Sequence, residues 1–297
     1  MFRQSAYVCL LLAVLFAAGA AYAQVKVADD YGKPVSLAGP AQRVVCLAPH
    51  LTELMFAAGA GDRVVGAVEY SDYPPAAQRL PRVGSEAVIN LEALVALRPD
   101  LVVAWPNAGS VRAVDRIASL GIPVFRSEPR ELEDIARTIE TFGRLAGTQG
   151  AAHSAANDFR ARASQLAARY SQRPVVRVFY QVWDRPLITV NGDHVISKVI
   201  RLCGGTNVMA DLPGIAPEID PERVLEADPE VILASGTGSV RPAWLDGWKA
   251  YPGLAAVRHG QLHAIRPELL QRHTPRLLDG AEELCHILES ARAQRTR

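Results

Sequence analysis

Hydrophobic positions fall into short runs, at residues 65–68, 101–104 and 231–234 and, each opened by an arginine, at 43–47 and 177–180, and between them lie stretches with apolar residues three and four apart. That alternation predicts buried parallel strands joined by amphipathic helices. The strongest pattern is internal: NLEALVALRPDLVVA (residues 90–104) lies without a gap on DPERVLEADPEVILA (residues 220–234), at a constant offset of 130 residues from Asn90 to Asp220. Each copy reads as a helix capped by Asn or Asp, with an acid at its second position, ended near a proline and followed by a buried strand. Ahead of each copy stands another strand, 43–47 or 177–180, and a helical stretch closed by glycine, at Gly59 and at Gly204-Gly205. The expected fold is α/β, with two lobes that each have a mostly parallel central sheet and flanking helices.

Residues 131–145 and 151–170 are rich in helix formers, and Ala152, Ala155, Ala156, Phe159, Ala163, Leu166, Ala167 and Tyr170 keep a helical period. A helix over 151–171 would be roughly 30 Å long at about 1.5 Å per residue, enough to cross from one lobe to the other. The expected division is a leader at 1–23, an N-terminal lobe at 24–148, a helical linker at 149–172 and a C-terminal lobe at 173–297. The competing arrangement is one continuous doubly wound sheet in which this segment is an ordinary crossover helix.

The leader follows from Arg3, an apolar core too short for a membrane span, and Ala21-Tyr22-Ala23, an A-x-A cleavage site that would release a periplasmic chain beginning at Gln24. Cys9 precedes the apolar core, which argues against a lipoprotein. The whole chain has 32 basic and 31 acidic side chains, so cleavage after Ala23 removes Arg3 and leaves a formally neutral protein. A balance so close to zero provides no basic surface for nucleic acid. Three cysteines remain in an oxidising compartment, Cys46, Cys203 and Cys285. Cys46 sits in an apolar run, so Cys203 with Cys285 is the better pair; the alternative is three reduced, buried thiols.

In parallel α/β sheets ligands bind outside the carboxyl ends of the strands. The segments that follow these strands are aromatic: Ala48-Pro49-His50, then residues 69–75 with Tyr70 and Tyr73, then Trp105-Pro106-Asn107, then Gln181-Val182-Trp183-Asp184. Rims bearing Tyr70, Trp105 and Trp183 suit a flat ligand with apolar faces and a polar edge, although each aromatic taken alone reads equally well as core. A histidine on a strand-to-helix loop, as at His50, is usually a capping or solvated residue and occasionally a metal ligand. The other histidines show no clustering; His259 and His263 are four apart, but Gly260 and a strand-like stretch break a helical pairing. The chain has no CxxC, HExxH, GxxxxGK[ST] or GxSxG, and no nucleophile with an adjacent base can be located, so no enzyme is expected.

Residues APHLTEL (48–54), YSDYPP (70–75), NLE (90–92), RPDLVVAW (98–105), CGGTN (203–207) and RHTPR (272–276) together resemble the periplasmic cobalamin-binding proteins of vitamin B12 ABC importers, over residues 43–287. The PDLV and CGG-x-N pieces occur throughout the helical-backbone, or class III, substrate-binding proteins; YSDYPP is the narrower match. The resemblance implies two α/β lobes joined by a rigid helix, with little closure on binding. It implies a monomer that captures cobalamin or a related corrinoid and delivers it to a permease dimer with its ATPase. Cobalamin would be cargo, with no catalytic cofactor. The same resemblance makes Tyr70 a corrin contact, puts Pro49 on the N-lobe wall, and makes Glu268-Leu269-Leu270-Gln271-Arg272 the C-lobe binding loop. It pairs Cys203 with Cys285 and casts Glu92 and Glu222 as permease-docking acids, one per lobe. Those glutamates would in any case interact well with their helix dipoles.

Three departures stand out. Glu86 and Ala216 occupy pocket positions that are tryptophan in the resembling proteins, with Trp183, Trp244 and Trp248 the nearby aromatics that could compensate. His50 replaces a small residue and would bring an imidazole toward the cobalt face, so a different corrinoid such as cobinamide also fits. The rival ligands on this fold are siderophores and haem; an anionic iron chelate would need several cleft arginines, and Arg272 is the one the sequence places there.

Overall fold

The computed structural model describes residues 24–106, 109–235 and 241–295. The expected leader and Asn107 lie outside the described residues. The chain runs through the hairpin β1 (Val25–Ala28) and β2 (Pro34–Leu37), then β3 (Val44–Cys46), α1 (Pro49–Ala57), β4 (Val64–Ala67), α2 (Leu91–Ala96), β5 (Leu101–Ala104), α3 (Val111–Ser119), β6 (Val124–Arg126) and α4 (Leu132–Ala146). The long helix α5 (Gln149–Tyr170) follows. The second half contains β7 (Val176–Gln181), α6 (Val195–Leu202), β8 (Gly205–Asn207), α7 (Pro221–Ala227), β9 (Val231–Ser235), α8 (Ala255–Arg258), β10 (Leu262–Ile265), α9 (Pro267–Leu270) and α10 (Leu277–Gln294).

Two separate parallel sheets form, in the orders β4-β3-β5-β6 and β10-β9-β7-β8, so the single continuous sheet is excluded. Numbered within each half, both read 2-1-3-4. The duplication seen in sequence is therefore a duplication of topology, and it extends to atomic detail. Arg98 and Asp228, equivalent under the 130-residue offset, both take left-handed backbone angles, with φ of 45° and 39°. Next to them Asp100 accepts hydrogen bonds from the backbone of Gln42 and Arg43, while its counterpart Glu230 accepts from the backbone of Arg177. Arg43 and Arg177 in turn donate to the carbonyls of Leu97 and Asp228 at the ends of α2 and α7. Each lobe thus closes its helix-to-strand corner with the same arginine and acid clamp. The helix caps differ: Asn90 accepts from the Ala93 amide, whereas Asp220 makes no capping bond and Pro221 starts α7.

Helix α5 has 22 residues, about 33 Å of rise. At its start Ala152 packs on α4, where a β-carbon on Gly143 would come within 2.3 Å of it, and Arg160 pairs with Glu133 and Glu140. Farther along, Arg162 pairs with Asp279 on α10, and Tyr170 lies edge-on to His286. One apolar core runs from Leu51, Leu101 and Phe142 through Ala156 and Phe159 of α5 to Val178, Leu233 and Leu284. Because the lobes share this core, moving them apart would expose apolar surface, which opposes hinge motion.

Cys203, just past α6, is bonded to Cys285 on α10 across 82 residues. Cys46 is free and buried, and burial raises its thiol to about 12, so it is inert at neutral pH. Closing a loop of this length stabilises by about 4 to 5 kcal/mol in the chain-entropy account. The double variant Cys203→Ala/Cys285→Ala is expected to lose about that much unfolding free energy, as read from urea denaturation under non-reducing conditions.

Candidate ligand cleft

The 2-1-3-4 order reverses direction between its first and third strands, so each lobe has its switch point at the carboxyl ends of β3 and β5 or of β7 and β9. Between the lobes at these ends lies a cavity of about 400 Å³. Pro49, His50, Tyr70, Glu86 and Trp105 line its N-lobe side, and Val182, Val190, His194, Ile196, Ala216, Gln271 and Arg272 its C-lobe side.

Local structure explains the placement of the N-lobe residues. Pro49, with its fixed φ, is the first residue of α1 after the extended Ala48, so α1 starts as β3 ends and His50 is carried to the cavity wall. Trp105 follows β5, and its ring meets His50 edge-on at 5.4 Å. Tyr70 has φ of 61°, a left-handed conformation that is rare outside glycine, and the residue is 76% exposed at the cavity mouth.

Tyr70 is held there from the other lobe. Arg272 donates to the Tyr70 carbonyl at 3.0 Å, and its other terminal nitrogen reaches Glu53 at 2.9 Å and Asp72 at 2.8 Å. Arg276 also grips Glu53, at 3.0 and 2.6 Å, and its guanidinium lies 3.9 Å over the Tyr73 ring. Glu53 is buried on α1, and two C-lobe cations neutralise it. Removing one partner from a buried pair of this kind typically costs about 3 to 5 kcal/mol.

Beneath this clasp, contrary to the sequence expectation, three histidines come together. The His50 ring lies 6.1 Å from that of His273, which lies 6.5 Å from that of His194. They come from three well-separated segments, so their spacing along the chain had no signature. The row does not converge as a metal site: no group of three His, Cys, Asp or Glu suited to a metal occurs among the described residues. Burial lowers His50 to about 3, with the charges of His273 and Arg272 adding to it. Burial likewise lowers His194 to about 4, and His273 to about 4 against the opposing pull of Asp134 and Glu128. His194 caps α6, its Nδ1 accepting the Ile196 amide hydrogen, whereas His50 Nε2 is buried with no hydrogen-bond partner among the described residues. Burial also raises the Glu86 carboxyl against the pull of Arg272.

The expected site residues separate into two groups. Pro49, His50, Tyr70, Trp105, Gln271 and Arg272 line the cavity. Trp183 does not; the residue is 46% exposed and its indole donates to the Arg185 carbonyl, leaving Val182 to face the cavity. Leu269 and Leu270 are buried in the shared core because α9 turns their side chains inward, and Glu268 pairs with Arg266 away from the lining. The tryptophans expected to compensate are elsewhere: Trp248 donates to Gln181 and packs on Phe179, and Trp244 packs in the outer C-lobe cluster. His194, Val182, Val190 and Ile196 were not foreseen, since short apolar loops and a helix cap have no distinguishing pattern.

A larger depression, of about 930 Å³, lies on the outer side of the N-lobe. Its walls come from the N-lobe and the start of α5, and several of their charges pair among themselves, Arg130 with Glu128 and Arg137 with Asp134, with His153 beside Glu140. The interlobe cavity, with its aromatic wall and unpaired imidazole, is the better ligand site.

The lowered histidines give a pH dependence of defined sign. Between about pH 6.5 and 4 the unfolded chain takes up protons that the folded protein refuses, so unfolding free energy falls as pH falls, by up to about 1.4 kcal/mol per pH unit for each histidine. Urea unfolding across pH 7 to 4 should show this slope, and His273→Gln should make it shallower.

Comparison with known proteins agrees with this architecture. The family model described as "Periplasmic binding protein" matches residues 44–269. The chain is 38% identical over 255 residues to the vitamin B12-binding protein of Vibrio cholerae, spanning 86% of this chain and 92% of that protein. It is 37% identical over 254 residues to the one from Yersinia pseudotuberculosis, spanning 84% and 87%. The crystal structure of the periplasmic vitamin B12-binding protein BtuF of Vibrio cholerae superposes with a TM-score of 0.78 at 37% identity, covering 85% of this chain and 98% of that one. The haem-binding protein BhuT in complex with two haems shares the fold, with a TM-score of 0.71 at 24% identity over 85% and 99% of the two chains. By its matched family model, its relatives and its fold, this chain belongs to the periplasmic binding protein family.

Proposed function

We propose that this protein captures cobalamin or a related corrinoid in the periplasm, after cleavage behind Ala23, and hands it unchanged to the permease dimer of an ABC importer driven by its ATPase. The observation that carries this reading is the interlobe cavity walled by Pro49, Tyr70 and Trp105, in a chain similar over most of its length to vitamin B12-binding proteins. An exposed Tyr70 ring and a nearby indole provide stacking area at small entropic cost. A corrinoid is larger than the cavity, so it would fill the space with part of its macrocycle and stand out through the mouth beside Tyr70. Glu86 and Ala216 lie in that lining, which leaves a smaller aromatic wall than the resemblance implies.

Charge separates this reading from haem or a siderophore. Arg272 is the one arginine among the described lining residues, and its guanidinium is engaged by Glu53, Asp72 and the Tyr70 carbonyl. Glu86 adds an acid, so an anionic chelate finds no free guanidinium among the described lining residues.

The division into lobes at 24–148 and 173–297, carried by a linker at 149–172, provides two docking faces. Glu92 and Glu222 each stand at the second position of an equivalent helix, exposed and without an ion-pair partner among the described residues. Helices α2 and α7 run back against their strands, so their first turns lie at the strand carboxyl ends, the side on which the cleft opens. A pair of acids related by the internal repeat matches the symmetry of a permease dimer.

Calorimetry with cyanocobalamin and cobinamide should give one-to-one binding between micromolar and nanomolar, about −8 to −12 kcal/mol, with haem and a ferric siderophore binding weakly or not at all. Clear uptake of an iron chelate without corrinoid binding would keep the fold and overturn the ligand. Glu92→Ala combined with Glu222→Ala should leave corrinoid affinity unchanged and reduce transport in a reconstituted importer.

A further inference from the structure

We propose that His50 supplies an axial nitrogen to the cobalt of the corrinoid in the interlobe cavity, and that the site thereby favours corrinoids with an exchangeable axial position. The proposal rests on the corrinoid reading above and specifies the chemical class of that ligand.

Two observations and two chemical arguments converge on this residue. His50 lines the cavity between Pro49 and Trp105, on the wall that a macrocycle would face. Its Nε2 is buried without a hydrogen-bond partner among the described residues, whereas its Nδ1 is neither buried nor hydrogen-bonded there, so Nδ1 is the nitrogen open to a ligand. Packing alone does not explain an imidazole here, because a leucine or phenylalanine would fill the same wall without burying an unpaired polar atom. A neutral imidazole is a good ligand for first-row transition metals, which an aliphatic or phenyl side chain on this wall could not be.

The other cavity groups are less suited. His194 accepts the Ile196 amide hydrogen at Nδ1, which puts its proton on Nε2 and leaves no free lone pair. Gln271 donates to Ser235, and Arg272 is held by the N-lobe. In the proposed step a cobalt–oxygen bond to water breaks, a cobalt–nitrogen bond forms and the water leaves. No electron is transferred. A corrinoid whose axial positions are both occupied by cyanide would gain nothing from His50.

The test is electron paramagnetic resonance of the purified protein loaded with cob(II)inamide, which has no benzimidazole base of its own. Nitrogen on the cobalt axis splits each cobalt hyperfine line into a triplet, and labelling the protein's histidine with the heavy nitrogen isotope turns each triplet into a doublet. His50→Ala should abolish the splitting while calorimetry still shows cob(II)inamide bound. His50→Phe, which keeps a ring against Trp105, should do the same in a fully packed fold. His50→Ala should also weaken diaquocobinamide by about tenfold or more relative to dicyanocobinamide. Bound cob(II)inamide without nitrogen splitting, or splitting that survives in both variants, would overturn the proposal and leave the corrinoid reading standing. Failure of the wild-type protein to bind any corrinoid would remove that reading and this proposal with it.

Discussion

The carboxylate of Glu53 governs how this molecule is assembled. It is buried on the first N-lobe helix, and both of its oxygens are taken by guanidinium groups from the C-lobe, Arg272 and Arg276. A charge in that position is tolerable only when it is paired, so each lobe carries half of an electrostatic unit that the other completes. The same two arginines reach the rim of the cleft. Arg272 holds the carbonyl of Tyr70 and the carboxylate of Asp72, and Arg276 covers the face of Tyr73. The left-handed backbone of Tyr70 is therefore stabilised from across the cleft, and its ring is presented before any ligand arrives.

This clasp and the shared apolar core act together. The core runs through the long helix into both sheets, and the disulfide ties the last helix to the end of α6. A cleft built in this way is preorganised: its walls lose little conformational freedom on binding, which favours affinity without large domain closure. Symmetry in the frame also permits asymmetry in the rim. Both lobes use one strand order and one arginine and acid corner, yet the N-lobe contributes the larger aromatic rings, Tyr70 and Trp105, while the C-lobe contributes aliphatic residues with His194, Gln271 and Arg272.

The histidine row belongs to the same junction. His50 comes from the N-lobe and His194 and His273 from the C-lobe, and their burial keeps the rings neutral beneath a cationic clasp. Uncharged imidazoles are compatible with an apolar cleft floor; charged ones would repel Arg272 and one another. The chemistry available in the cleft is thus stacking and hydrogen bonding beside uncharged imidazoles.

Much of this was legible in the chain itself, for reasons of range. The 130-residue repeat, the strand runs, the long helix and the glycine stops depend on neighbours a few residues away, and the two half-copies fold alike because each contains its own corner signals. Cysteine arithmetic made Cys203 with Cys285 the better pair because Cys46 sits in an apolar run, and the structure decided it against three reduced thiols. Pro49, Tyr70 and Trp105 could be placed because parallel sheets open at their strand ends. What tertiary structure alone decided are the contacts between distant segments. Glu53 meets Arg272 and Arg276 across 219 and 223 residues, and nothing local marks that glutamate as anything other than a helix residue. The direction of a side chain on a short turn is equally silent in sequence: Trp183 turns outward where Val182 turns in, and Leu269 and Leu270 enter the core while Gln271 and Arg272 face the cleft. The histidines were read as unrelated because their proximity exists only after two lobes dock, and docking depends on a buried charge and a shared apolar surface that no periodicity records.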